Sequence, residues 1–170
     1  SEKKSSQIIA KSLNAQYLHL DIRNIFKNFT KTPLTDYSIN VTNGIHSSES
    51  PTEWVVMRNT ILSSITAGIA ETHGASAIVT GCNMEEESAY PDNSITWINA
   101  FSNMIQHGSL HGMKMIPVDS HLMKKDIITL GSALGVPFHN TTSCYDPIDI
   151  NSCKDHMKVK QAKIFNLTHI

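Results

Sequence analysis

Ala75-Ser76-Ala77-Ile78-Val79-Thr80-Gly81 runs directly into Cys82-Asn83-Met84-Glu85-Glu86-Glu87-Ser88-Ala89-Tyr90-Pro91-Asp92. The first seven residues are a short apolar run between small residues, the signature of a strand buried on both faces in a parallel sheet. The polar, acidic segment after it then lies beyond that strand's carboxyl end, where open α/β sheets bind their ligands.

The flanking sequence fits the same layer. Upstream, residues 53–73 carry Val55, Val56, Ile61, Leu62, Ile65, Ile69 and Ala70 at near-helical intervals and end at Gly74, which predicts a helix with a glycine C-cap. Downstream, residues 95–107 predict a helix with Trp97, Ile98, Phe101, Met104 and Ile105 on its inner side. Residues 113–118 read as a second strand, and residues 124–134 as a helix ended by Gly135-Val136-Pro137. Near the start, residues 2–13 predict a short amphipathic helix, and the alternation in residues 17–22 predicts a strand. Residues 28–52 are rich in Ser, Thr, Asn and Pro and read as a long loop. This alternation of strand and helix predicts an α/β fold, a parallel sheet with flanking helices, over residues 1–140. Residues 141–170 form a tail that begins irregularly and ends in a lysine-rich helix near 154–165.

At 170 residues the chain is one domain by size, long enough to bury a core. A net charge of −1 lacks the overall basic footprint of a nucleic-acid binder, so no nucleic-acid partner is expected. Apolar runs are too short to span a bilayer, and no membrane partner is expected either. Three cysteines, an odd number, make no disulfide framework, and the reading is a reducing, cytoplasmic compartment.

Several residues could carry chemistry. Arg58 and Asn59 stand at the head of an otherwise apolar helix, where an arginine can hold a phosphate or carboxylate bidentately; the alternative is an exposed arginine flanking a core helix. The carboxylates of Glu85, Glu86 and Glu87 could hold Mg2+ through one or two oxygens, or be an acidic solvated loop. Tyr90-Pro91-Asp92 offers an aromatic face for stacking a base, a rigid turn and an acceptor for ring N–H groups, or is a turn without further role. Cys144, Cys153 and His156 form C-x8-C-x2-H, three ligands of types zinc prefers and one short of a closed site. Two stray cysteines and a surface histidine are the other reading. Lys154, Lys158, Lys160 and Lys163 make a basic strip, either a solvated helix face or a contact for a phosphate-bearing partner.

The order and spacing of Arg58-Asn59, Ala77 through Gly81, Ser88 through Asp92, Lys124-Lys125-Asp126-Ile127-Ile128, Leu134-Gly135-Val136-Pro137 and Thr142-Ser143-Cys144-Tyr145 resemble the 7-cyano-7-deazaguanine synthase family. These are queuosine-pathway ligases of the ATP pyrophosphatase (PP-loop) superfamily, with an adenine-nucleotide alpha-hydrolase-like fold. The resemblance implies an ATP-dependent ligase that activates the carboxylate of 7-carboxy-7-deazaguanine as an adenylate, converts it to an amide and dehydrates that to a nitrile. It implies ATP with Mg2+ as cofactor. Arg58, Asn59, Gly81 and Lys124 would face the nucleotide, Ser88, Tyr90 and Asp92 the deazapurine substrate, and Cys144, Cys153 and His156 a zinc ion. The family's Ser-Gly-Gly-x-Asp-Ser loop and its first two strands precede Ser1, Ser94 stands where the family has an arginine, and Val159 stands at the fourth zinc position. A partial domain is therefore expected, active when the ATP loop comes from an N-terminal segment, a partner chain or a swapped second copy. The alternative is a catalytically silent relative acting as a binding or assembly module.

Overall fold

A computed structural model of the chain describes residues 2–26, 32, 34–36 and 54–141. They belong to two compact units: Ile25–Lys124, and Ser1–Asn24 with Lys125–Ile170. Among the described residues no helix is long and apolar enough to cross a membrane. The zinc-ligand candidates Cys144, Cys153 and His156, the basic strip and most of the 28–52 loop lie outside the described residues.

The first unit is an α/β layer. Strands β1 (Ala77–Thr80) and β2 (Lys114–Pro117) pair in parallel with Ile78 opposite Met115. A parallel pair needs a crossover, and helix α4 (Ile95–Gly108) supplies it. Its Ile98, Phe101 and Ile105 pack with Ile78, Cys82, Met113 and Met115 into one buried cluster, joined by Ala67 and Ala70 of helix α3 (Arg58–Thr72). Ser94 starts α4, its Oγ accepting from Trp97 N–H at 3.1 Å, the usual role of a serine at this position. Helix α3 stops as its glycine requires. Gly74 takes φ 71°, a left-handed value that glycine adopts freely. Its N–H then reaches Glu71 O at 2.9 Å, and Ala75 N–H reaches Ala70 O at 2.9 Å.

Three sequence expectations are corrected. Residues 17–22 form no strand: Leu18 and Leu20 are 63% and 51% exposed, so their alternation finds no face to pack on. The Asp21 carboxylate instead accepts from Arg23 N–H at 3.1 Å and from the Arg23 guanidinium, turning the chain into the short helix α2 (Arg23–Phe26). That guanidinium also holds the Asp21 carboxyl far below the usual carboxylate range. Second, α3 begins at Arg58, not near residue 53, because Met57 sits in the left-handed region at φ 55° and Arg58 N–H bonds back to Val55 O. Third, β1 is buried on one face only. Ile78 is buried while Val79 is 64% exposed, and Ile116 beside it in register is 46% exposed, because α3 and α4 both pack on the Ile78 side.

The second unit holds α1 (Glu2–Ser12) and nearly all of α5 (Lys124–Ala133). Tyr17 Oη donates to Lys3 O at 3.3 Å and fastens the segment after α1 to its first turn. Buried Phe138 follows α5 and lies over Gly131, where a Cβ would stand 2.6 Å from Phe138 Cζ. Gly131→Ala is therefore expected to destabilise this unit by about 1–3 kcal/mol through overpacking. Urea titration would show the loss, and adding Phe138→Leu should recover part of it.

Candidate functional site

Two loops leave the carboxyl ends of β1 and β2, the place where a parallel sheet presents a site. The β1 loop is built from two 3-10 turns, Met84–Glu86 and Pro91–Asn93. Asn83 starts the first, its side chain accepting from Glu85 N–H at 3.1 Å. Pro91 opens the second, where its fixed φ suits a helical start and its missing N–H costs nothing. Asp119 of the β2 loop reaches across and accepts from Cys82 N–H at 2.8 Å. Gly81 lies under that carboxylate: an added Cβ would be 3.4 Å from Asp119 Oδ2. The Cys82 thiol is buried, and burial pushes its pKa up, against a hydrogen bond from Thr80 and with Asp119, Glu86 and Asp92 adding to the rise. It is a protonated core group, not a nucleophile.

A chain of polar contacts ties this loop to α3. Met57 offers no side-chain cap to that helix, and Asp92, far along the sequence, takes the role. Its Oδ2 accepts from Asn59 N–H at 3.0 Å, putting negative charge at the positive end of α3. Asn59 Nδ2 donates to Asp92 O at 3.0 Å and to Asn93 Oδ1 at 2.9 Å. Asn93 Nδ2 in turn donates to Glu86 Oε2 at 2.9 Å, and Glu86 Oε1 pairs with Lys124 Nζ at 3.2 Å. Glu85 Oε1 accepts from Lys124 N–H at 2.8 Å. Asp92 and Asn93 are both 6% exposed, so these bonds satisfy groups that water does not reach.

The network brings together four predicted residues: Asn59, Asp92, Lys124 and, through its neighbour Asn59, Arg58. Arg58 Nε lies 3.5 Å from Asn59 Oδ1, and among the described residues no carboxylate pairs with its guanidinium. One oxygen of Asp92 is also left over: no described donor reaches Oδ1, although the residue is buried. Tyr90 stacks on Trp54, centroids 6.0 Å apart and planes 19° from parallel. Gly81 serves the Asp119 contact and Ser88 is exposed on the loop; neither belongs to the hydrogen-bond chain. Glu85 and Glu86 spend carboxylate oxygens on Lys124 and Asn93, and among the described residues no group of three His, Cys, Asp or Glu could hold a metal ion.

Sequence reasoning missed Asn93, Asp119 and Trp54. Asn93 and Asp119 carry no local pattern, since their partners are far off in sequence. Trp54, an aromatic just ahead of a helix start, was the one readable signal.

Comparison with known proteins bears on what such a site serves. A family model described as "Queuosine biosynthesis protein QueC" matches residues 1–158. A 7-cyano-7-deazaguanine synthase of Methanothermobacter thermautotrophicus is 32% identical over 111 residues, 64% of this chain and 50% of the relative. That of Leptospira interrogans is 36% identical over 131 residues, 74% of this chain and 54% of the relative. That of Methanosphaerula palustris is 36% identical over 148 residues, 85% of this chain and 66% of the relative. The chain thus spans about half the length of the first and second of these relatives. With a family match running over most of its length, and with the α/β layer that the resemblance implied, this chain belongs to the QueC family of queuosine biosynthesis proteins.

Proposed function

We propose that these residues carry the base-recognition part of an ATP-dependent ligase acting on 7-carboxy-7-deazaguanine. The reaction is the one the family resemblance implies, from carboxylate to nitrile through adenylate and amide. The Oδ1 of buried Asp92, which no donor among the described residues reaches, is the observation that supports it most. A guanine-type base presents a ring N–H and an exocyclic amine on one edge, and a desolvated carboxylate oxygen is a strong acceptor for them. Tyr90, two residues before Asp92, supplies a ring for the base to stack on. Arg58, at the first turn of α3, has a guanidinium free of described carboxylates and is placed to take a nucleotide phosphate or the substrate carboxylate.

ATP would supply the leaving group that makes the carboxylate reactive. Arg58, Asn59 and Lys124 are the residues proposed to face it. Glu86 spends both carboxylate oxygens on Asn93 and Lys124 and Glu85 spends Oε1 on Lys124 N–H, so Mg2+ would come with the ATP phosphates. Zinc at Cys144, Cys153 and His156 and a cytoplasmic setting remain parts of the same proposal. So does a further strand along the outer edge of β1, from a preceding segment, a partner chain or a second copy. The exposed Val79 and Ile116 support a covering layer from such a piece on their face of the sheet, and they equally support the second reading, an assembly module.

Calorimetric titration of the chain with 7-carboxy-7-deazaguanine tests the proposal. Saturable binding at one site is expected. Absence of heat at millimolar ligand overturns base recognition and leaves assembly.

A further inference from the structure

We infer that Asn93 is a positioning residue for base recognition, a role that rests on the reading just proposed: its side-chain amide holds the turn that carries Asp92 and, through Glu86, the ammonium of Lys124. Asn93 is buried and both ends of its amide are engaged by protein, so it acts on a ligand through its neighbours. Its Oδ1 accepts from Asn59 Nδ2 on α3, and its Nδ2 donates to Glu86 Oε2 in the first turn of the β1 loop, both at 2.9 Å. A carboxamide offers an acceptor and a donor on one rigid plane. Its two ends cannot be exchanged here. Turned over, the nitrogen would face the Asn59 amide nitrogen and the oxygen would face the Glu86 carboxylate, two pairings of like groups. The groups on either side follow the same polarity. Asn59 directs its nitrogen at Asp92 O and Asn93 Oδ1, while its oxygen lies 3.5 Å from Arg58 Nε. Glu86 gives its other oxygen, Oε1, to Lys124 Nζ at 3.2 Å. The relay thus runs from Arg58 to Lys124, and Asp92 hangs from its middle, with its backbone O and its Oδ2 both on Asn59. The Glu86–Lys124 pair is partly exposed, with side chains 33% and 25% accessible, and such a pair fixes geometry weakly. The buried bond from Asn93 is what orients Glu86. Asn93 N–H also closes its own turn on Tyr90 O at 2.9 Å, so a shift of this side chain moves the turn that aims Asp92.

The test reverses the polarity of one bond in the full chain and reads calorimetric binding of 7-carboxy-7-deazaguanine. Asn93→Asp sets a second carboxylate against Glu86. Glu86→Gln alone can serve Asn93 or Lys124 with its one oxygen, and its nitrogen then opposes the other. Each single variant should weaken binding about tenfold. Combining Asn93→Asp with Glu86→Gln restores every pairing: the new amide nitrogen donates to the new carboxylate, its oxygen still accepts from Lys124 Nζ, and net charge is conserved. Binding within about threefold of wild type is expected for that double variant. Wild-type affinity in both single variants overturns the inference and leaves base recognition standing. A double variant no tighter than Glu86→Gln alone overturns it as well, and this comparison holds even where Asn93→Asp does not fold. Lowered urea midpoints with Kd unchanged would mark a contact that serves folding only, which also overturns it. If wild type itself does not bind, the base-recognition reading fails and this role falls with it.

Discussion

Asp92→Asn is expected to remove base binding while leaving the fold nearly unchanged, and Asp92→Ala to damage both. The two variants differ in what they leave for Asn59. The asparagine side chain still offers an oxygen to the Asn59 N–H that Asp92 Oδ2 now serves at 3.0 Å, so α3 keeps a cap. Its amide nitrogen then occupies the place of Oδ1 and sets donors against the donors of the base. Removing one partner of a buried charged hydrogen bond costs about 2–5 kcal/mol, roughly 30-fold to several thousandfold in Kd. Alanine leaves the Asn59 N–H without its acceptor as well, and a further loss of about 1–3 kcal/mol in folding stability is expected. Titration with 7-carboxy-7-deazaguanine and urea denaturation of each variant separate the two effects. Wild-type affinity in Asp92→Asn would show that this carboxylate does not meet the base.

Ile98→Ala should be among the most damaging core truncations. Ile98 is 0% exposed and lies within the cluster of Ile78, Phe101, Met113 and Met115 that joins α4 to the sheet. Such truncations cost about 2–5 kcal/mol, transfer and cavity together, and Ile98→Val about 0.5–1.5 kcal/mol. Both effects are read from urea midpoints at constant slope. With two strands among the described residues, few other contacts there share the loss, so the upper half of the range is expected. A drop under about 1 kcal/mol would mean that this cluster is not what holds the unit together.

How legible these features were depends on the distance over which each is decided. The strands around Ile78 and Met115, the helix around Phe101 and the stop at Gly74 are governed by near neighbours, and periodicity and turn chemistry revealed them. Tyr17 through Ile22 has an equally good alternating pattern, but alternation only describes a surface that could pack; without a neighbouring ladder the extended segment stays unpaired. Apolar spacing that continues through Val55 and Val56 predicts too early a start for α3, while the left-handed turn at Met57 leaves no trace in residue type. At the site, Asn59, Asp92 and Lys124 could be named from the sequence, but not that they are joined. The joining pieces, Asn93 and Glu86, act across separations of 34 and 7 residues in their bonds to Asn59 and to each other. Glu86 looked like a metal ligand or a solvated charge, and only the fold shows it facing Lys124.

The capping of α3 from a distance also limits how this lineage can change. If one carboxyl group both anchors a helix and reads the ligand, a descendant that adopts a base lacking those donors must first find another anchor. The neighbouring cap position offers no easy substitute, because Met57 holds a backbone geometry, φ 55° and ψ 23°, unlike the extended one from which serine or aspartate normally caps. Adaptation toward a new substrate would have to reshape that turn before it could touch Asp92, and the order of those mutational steps is set by the geometry.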